Sequence, residues 1–271
     1  MKSFILSFAS CTALIACGPA PRHSTGGDDV DAPVIQTCTP SAELCDDGID
    51  NDCDGYTDCH DPQCSGVGTC PVCGQITHPL STPLALPDGA GAGPPYTSPL
   101  HFMGFGAAQL LTAPSNIVSV CVNMEHSWMR DLQIEIHSPD MKVLVLNAQQ
   151  GDSCPMGVCE VYLGQANDSD TAEAPVPGVG ADYCWTPTST KPTMYAYANA
   201  SMPMLDVGAS KEMPPGDYQA DGMWTSLIGA PLNGDWSIFV QDKWGADNGF
   251  IFSWSITFDP TIVTSCDPPI Q

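Results

Sequence analysis

Basic side chains are scarce in this sequence of 271 residues: 7 Lys and Arg stand against 31 Asp and Glu, a formal net charge of −24 at pH 7. A surface of that sign repels phosphate backbones and anionic headgroups, which excludes nucleic acid as a partner. The same surface attracts divalent cations and keeps an exposed protein soluble. Long apolar runs are missing as well. The stretch from Phe4 to Ala16 is largely apolar, but a membrane-spanning helix needs roughly 20 such residues. No segment carries the apolar period of a convincing amphipathic helix. Catalytic signatures are absent too: there is no Gly-x-Ser-x-Gly and no His-Glu-x-x-His. None of His23, His60, His78, His101, His126 and His137 has a nucleophile partner in its local motif. The expectation is a protein that is not an enzyme.

What the sequence has in excess is cysteine, 14 in all. Two of these fall in the N-terminal segment. Met1-Lys2-Ser3 followed by the apolar run reads as a secretory signal. The run closes on Leu14-Ile15-Ala16-Cys17, which resembles the bacterial lipobox at all four positions. That resemblance implies cleavage after residue 16, lipid on Cys17 and a membrane anchor. Gly18 after the cysteine, where an Asp would signal retention, implies release to the outer membrane. Setting aside Cys11 and Cys17 leaves an even number of thiols, as a disulfide-bonded exported chain should have. Connectivity cannot be read from spacing.

Composition divides the rest. Residues 18–36 are small, polar and rich in Pro and Gly, a flexible tether. Residues 37–74 hold Cys38, Cys45, Cys53, Cys59, Cys64, Cys70 and Cys73 among many Asp and Gly, with almost no large apolar residues. Cross-links or metal must hold such a segment, because it cannot build a core. Residues 76–266 have globular composition and read as all-β. Phe250, Phe252, Trp254, Ile256 and Phe258 alternate with smaller or polar residues, as do Leu132, Ile134 and Ile136, and Trp236, Ile238 and Val240. Ile117–Val122 and Lys142–Leu146 are further short apolar runs. The stretch 148–215, weakly patterned and holding Cys154, Cys159 and Cys184, reads as long loops pinned by disulfide.

The sharpest local pattern runs from Asp50 to Asp61. Counting Asp50 as the first position of a calcium loop puts Asp52, Asp54, Tyr56 (through its carbonyl), Asp58 and Asp61 at liganding positions, with Gly55 at the sharp turn. Calcium takes many hard oxygen ligands, and carboxylates this close repel one another without a cation. Asp61 is shorter than the usual Glu and no helices flank the loop, so a weak isolated site is expected rather than an EF-hand. A metal-free disulfide knot with Asx turns is the alternative. Copper or zinc suits the loop less: it offers only His60 once the thiols are oxidised. The string Cys45-Asp46-Asp47-Gly48-Ile49-Asp50-Asn51-Asp52-Cys53-Asp54-Gly55, continuing to Cys59 and Cys64, resembles the Cys/Asp-rich metal-binding repeats of myxobacterial-type surface proteins, some of which are tied to copper. Cys70-Pro71-Val72-Cys73 with Cys59, Cys64 or His78 mimics a zinc site, but disulfides are favoured in an oxidising compartment.

A second resemblance covers the C-terminal part. The stretch from His126 through Asp131-Leu132-Gln133-Ile134-Glu135-Ile136-His137-Ser138-Pro139 is similar to a strand pair of the P domain (P/Homo B) of proprotein convertases. Leu232-Asn233-Gly234-Asp235-Trp236-Ser237-Ile238-Phe239-Val240-Gln241-Asp242 resembles another of its strands, Asp247-Asn248-Gly249 through Phe258 its closing strand, and Leu86-Pro87-Asp88-Gly89 its opening turn. The resemblance implies a jelly-roll-like β-sandwich. Asp140-Met141-Lys142 departs from the Gly-Thr usual after Ser-Pro, which leaves the shape of that turn open. In convertases this domain stabilises a subtilisin-like catalytic domain, and the residues ahead of the sandwich here spell no such domain. Asp131, Asp242 and Asp247 sit at strand ends, where a second calcium site competes with turn capping. His126 is expected to satisfy a turn, and Trp236 and Trp254 to lie in the core. Trp128, Trp224 and Trp244 fall near turns, where edge packing competes with stacking against sugars.

These features together predict a calcium-binding envelope lipoprotein whose sandwich binds an extracellular protein or glycan or serves a structural role. The alternatives are an accessory subunit of an exported protease and a carbohydrate-binding module. Anchoring has a direct test. Cys17→Ser should block processing and release the protein from membranes, read by N-terminal sequencing and fractionation. An unchanged N-terminus with unchanged membrane partitioning would sink the lipid assignment.

Overall fold

A computed structural model describes residues 39–86, 94–150, 161–167, 175–207, 210–245, 249–264 and 266. The leader, Cys17, the tether, Cys38, Pro87-Asp88-Gly89, Cys154, Cys159 and Asp247 lie outside the described residues. In chain order the strands are β1 (Gln75–Ala85), β2 (Tyr96–Phe102), β3 (Ile117–His126), β4 (Leu132–His137), β5 (Val143–Asn147), β6 (Ala181–Trp185), β7 (Leu205–Val207), β8 (Ser210–Glu212), β9 (Gly216–Tyr218), β10 (Gly234–Asp242) and β11 (Gly249–Phe258). They make a five-stranded sheet ordered β1-β11-β3-β6-β9, a four-stranded sheet ordered β2-β10-β4-β5, and the hairpin β7–β8. Among the described strand pairs the β6–β9 ladder is parallel and the others are antiparallel, with a further isolated parallel bridge between Tyr162 and Glu212.

Alternation sets which side chains face inward. Trp236, Ile238 and Val240 of β10, and Leu132, Ile134 and Ile136 of β4, are fully buried. The two larger sheets meet across one core. The Trp254 indole N–H donates to Ser98 Oγ at 3.1 Å, and the Phe258 ring meets Phe102 and Trp236 edge-on at 4.9 and 5.4 Å between centroids. The chain is thus an all-β, jelly-roll-like sandwich preceded by a small disulfide-rich segment.

Two expectations are corrected. In β11 the register against β3 shifts between Ile251 and Ser253. This bulge inserts one residue, so the period-2 pattern changes face. Ile251 joins Trp254, Ile256 and Phe258 in the core while Phe252 is only half-buried. The described part of 148–215 is not merely loop. It supplies β6, whose Tyr183 and Trp185 are fully buried, and the short helix α1 (Met194–Asn199), capped by the Thr193 side chain accepting from the Ala196 N–H. Cys184 bonds to Cys121 on the neighbouring β3, directly opposite it in the ladder.

The β1, β2 and β5 edges are blunted. β1 carries Pro79 and Pro83 and β2 carries Pro99, none of which can donate to an added strand. The β5 edge is covered by 221–226, through Gly222 N–H to the Val145 carbonyl (2.8 Å) and Ser226 Oγ to the Val143 carbonyl (2.6 Å). The turn after β4 closes with Met141 at φ 65°, a conformation that glycine enters more readily.

Tyr183 stitches this region together: its hydroxyl accepts from Gly164 N–H at 2.7 Å and donates to the Met213 carbonyl at 2.9 Å. Burial pushes its phenol well above the ordinary range, so it stays a neutral donor. Tyr183→Phe strands both backbone groups in the core and should cost about 1–3 kcal/mol, measured as a lower urea midpoint at unchanged slope. An unaltered midpoint would show that the hydroxyl is dispensable.

Candidate metal centre

Residues 39–74 bury little besides Cys64, Cys70, Cys73 and Asp61. Covalent links take the place of a core: Cys45–Cys64, Cys59–Cys70 and Cys73–Cys266. Cys53 is also disulfide-bonded. These sulfurs are taken up in disulfides, as expected of the cysteine-rich segment. Cys73–Cys266 fastens the segment to the chain beyond β11. Phe258 N–H reaches the Gly74 carbonyl at 2.8 Å and Cys266 N–H the His60 carbonyl at 3.3 Å.

Between the disulfides, carboxylates accept backbone N–H groups that a sheet or helix would otherwise satisfy. Asp50 takes Cys53 N–H on Oδ1 (2.7 Å) and Gly55 N–H on Oδ2 (3.0 Å). That clamps the sharp turn at Gly55, where φ is 101°. Asp52 Oδ1 accepts from Asp54 N–H and Asp54 Oδ1 from Tyr56 N–H, at 3.2 and 2.9 Å. Asp58 points elsewhere: both of its oxygens accept from Gly48 N–H, at 3.0–3.1 Å, and Oδ1 also from Asp47 N–H at 3.0 Å. Glu43, outside the expected loop frame, takes Asp58 N–H and Asn51 N–H on its two oxygens at 3.0 and 2.8 Å.

Two groups of carboxylates converge, each with ligand oxygens within 4.8 Å of one another: Glu43, Asp50 and Asp52, and Asp52, Asp54 and Asp61. Asp58 is in neither. The second group differs from the first in one respect. Asp61 is fully buried, Oδ1 accepts from Gln63 N–H at 2.6 Å, and Oδ2 is buried with no hydrogen-bond partner among the described residues. Burial pushes its carboxyl above the ordinary carboxylate range, the Gln63 N–H pulls it back in part, and the charges of Asp54, Asp52 and Glu43 push it further up. Gln63 also lies against Asp52, its side-chain amide touching Oδ2. A divalent cation among these oxygens would satisfy Asp61 Oδ2 and cancel the repulsion. The donors are all oxygen, the set that suits calcium.

Sequence reasoning missed Glu43 and Gln63. Glu43 is the lone Glu of residues 37–74, a weak but visible signal. Gln63 gave none.

At the far strand ends, Asp131 and Asp242 are buried. Asp242 Oδ1 caps Trp244 N–H at 3.0 Å, and Oδ2 lies 3.5 Å from His126 Nε2. His126 Nδ1 accepts from Trp128 N–H at 3.1 Å, the expected turn bond, which leaves the ring proton on Nε2 facing Asp242. Asp131 Oδ1 lies 3.6 Å from Arg130 Nε. Trp224 packs against the core, Trp128 has the Arg130 guanidinium 4.7 Å from its ring centroid, and Trp244 is exposed.

No family model matches the sequence, and no curated protein matches it. Among solved structures, the complex of a serine protease of Aeromonas sobria and the chaperone aligns at 15% identity and a TM-score of 0.35, over 68% of this chain and 26% of that one. The serine protease of Aeromonas sobria alone aligns at 14% identity and a TM-score of 0.34, over 67% and 26%. This chain thus matches about a quarter of the length of these neighbours.

The hydrogen bonds make Glu43 the larger structural support. Glu43→Ala should speed amide exchange at Asn51 and Asp58, since bonds to a charged acceptor are worth about 1.5–3 kcal/mol. Asp58→Ala should do less, because the Asp47 and Gly48 amides it caps are exposed. Equal or reversed effects would contradict this ranking.

Proposed function

We propose that this chain is an exported, lipid-anchored envelope protein without catalytic activity, in which a calcium-holding Cys/Asp segment carries a P-domain-like sandwich used for binding or structural work. The observation that carries the calcium part is Asp61: a fully buried carboxylate, one oxygen without a partner among the described residues, beside Asp52 and Asp54. Burying such a charge is costly unless it is compensated. Asp52 and Asp54 would hold the ion with Asp61 and neutralise it, while Asp50 and Glu43 hold the turn. In this reading Asp50 and Asp58, whose oxygens cap backbone amides, support the loop rather than serve as the ligands expected from spacing.

The lipid part of the reading rests on Leu14-Ile15-Ala16-Cys17. The P-domain part rests on motif order: three of the four resembling stretches map onto the end of β3 with β4, onto β10, and onto β11, and the fourth, the opening turn, lies largely outside the described residues. With the β1, β2 and β5 edges blunted, a partner at those edges would be met through faces and loops rather than by an added strand.

Calcium titration tests the proposal. Affinity should fall in the weak extracellular class, about 10⁻⁴–10⁻³ M, and calcium at about 100 times the dissociation constant should stabilise the fold by roughly 2.7 kcal/mol. Asp61→Asn should abolish that gain. In chelator the same variant should be at least as stable as the parent, since the amide removes a buried charge. No calcium-dependent shift in the melting of the parent protein would refute the site.

A further inference from the structure

Resting on the calcium reading, the geometry points to Gln63 as a ligand of the ion, one that the carboxylate pattern of the loop does not announce. Its backbone N–H already orients Asp61 by donating to Oδ1 at 2.6 Å, and its side-chain amide touches Asp52 Oδ2. One residue therefore contacts two of the three converging carboxylates. It sits in a three-residue 3-10 turn, Pro62–Cys64, whose N-cap is Asp61. Pro62 stiffens the start of this turn and the Cys45–Cys64 disulfide anchors its end. The backbone of Gln63 is thus fixed beside the cluster.

Without a cation, the amide N–H is the end of that side chain that a carboxylate attracts. A cation reverses the preference. The terminal torsion of Gln is broad and roughly two-fold, so half a turn presents Oε1 in place of Nε2 with the rest of the residue unmoved. The amide oxygen is one of the neutral donors calcium accepts beside carboxylates. Gln63 adds an oxygen without adding charge to Asp52, Asp54 and Asp61. It sets the site's charge count at three rather than four, and charge count is one of the quantities that tune calcium affinity.

The test compares the parent protein with Gln63→Leu and Gln63→Glu, titrating calcium by calorimetry on the full mature chain. Gln63 is exposed and its backbone bond to Asp61 survives both changes, so folding should be kept; amide exchange at Gln63 checks this. Gln63→Leu should weaken calcium binding about tenfold and Gln63→Glu strengthen it about tenfold. A merely structural Gln63 would not give opposite signs. Parent and Gln63→Leu binding calcium equally well would overturn the assignment while leaving the calcium site standing. Gln63→Glu binding more weakly than the parent would also overturn it. A parent protein that binds no calcium would bring down the calcium reading and this assignment with it.

Discussion

Phe258 is where the parts of the molecule meet. Its ring lies edge-on to Phe102 of β2, to Trp236 of β10 and to the buried Phe105 in the stretch after β2. Its own strand pairs with β1 on one side and β3 on the other. Its N–H is held by the carbonyl of Gly74, the last residue before β1. The approach there is close: a Cβ on Gly74 would lie 3.0 Å from Val263 and 3.3 Å from Phe258 Cβ, at a φ of +73° that disfavours other residues. The ring of this one residue thus joins the two sheets, and its backbone N–H joins them to the disulfide-rich segment.

That segment solves a different problem. It has too little apolar surface to exclude water, so its backbone amides are satisfied by its own acidic side chains. Asp50, Asp58 and Glu43 each accept two or more N–H bonds. Carboxylates are strong acceptors for this task, but each adds a negative charge to a small volume. Capping and cation attraction are two results of the same composition. They separate residue by residue: carboxylates such as Asp50, Asp58 and Glu43 give both oxygens to amides and hold the shape, whereas Asp61 keeps one buried oxygen without a hydrogen-bond partner among the described residues.

The sequence was legible where a single force dominated. Strands β4 and β10 alternate cleanly because one face of each is core and the other is not, so period alone finds them. In β11 a bulge breaks the alternation, and a bulge depends on the partner strand rather than on the strand itself. β6 was read as loop because only Tyr183 and Trp185 announce it and its place comes from long-range pairing with β3. In the Asp-rich loop, spacing marked Asp50, Asp52, Asp54, Tyr56, Asp58 and Asp61 alike, because spacing counts oxygens without seeing which carboxylates backbone amides claim. Glu43 and Gln63 come to these carboxylates from outside the loop frame, Glu43 beside Asp50 and Asp52 and Gln63 beside Asp52 and Asp61.

The bond between Cys73 and Cys266 spans 193 residues of sequence and closes the entire sandwich into a covalent ring. Tension entering the chain from its N-terminal side arrives at Cys73 and divides there between β1 and, through sulfur, the segment after β11. Those two routes run into neighbouring, paired strands. Both ends of the ring are then pulled from one point, so such a load tows the sandwich as a body and does not peel its strands apart. For a folded unit held by one end in a moving fluid or by a moving partner, mechanical durability is set by the short disulfide-rich segment, and the β-ladders are spared.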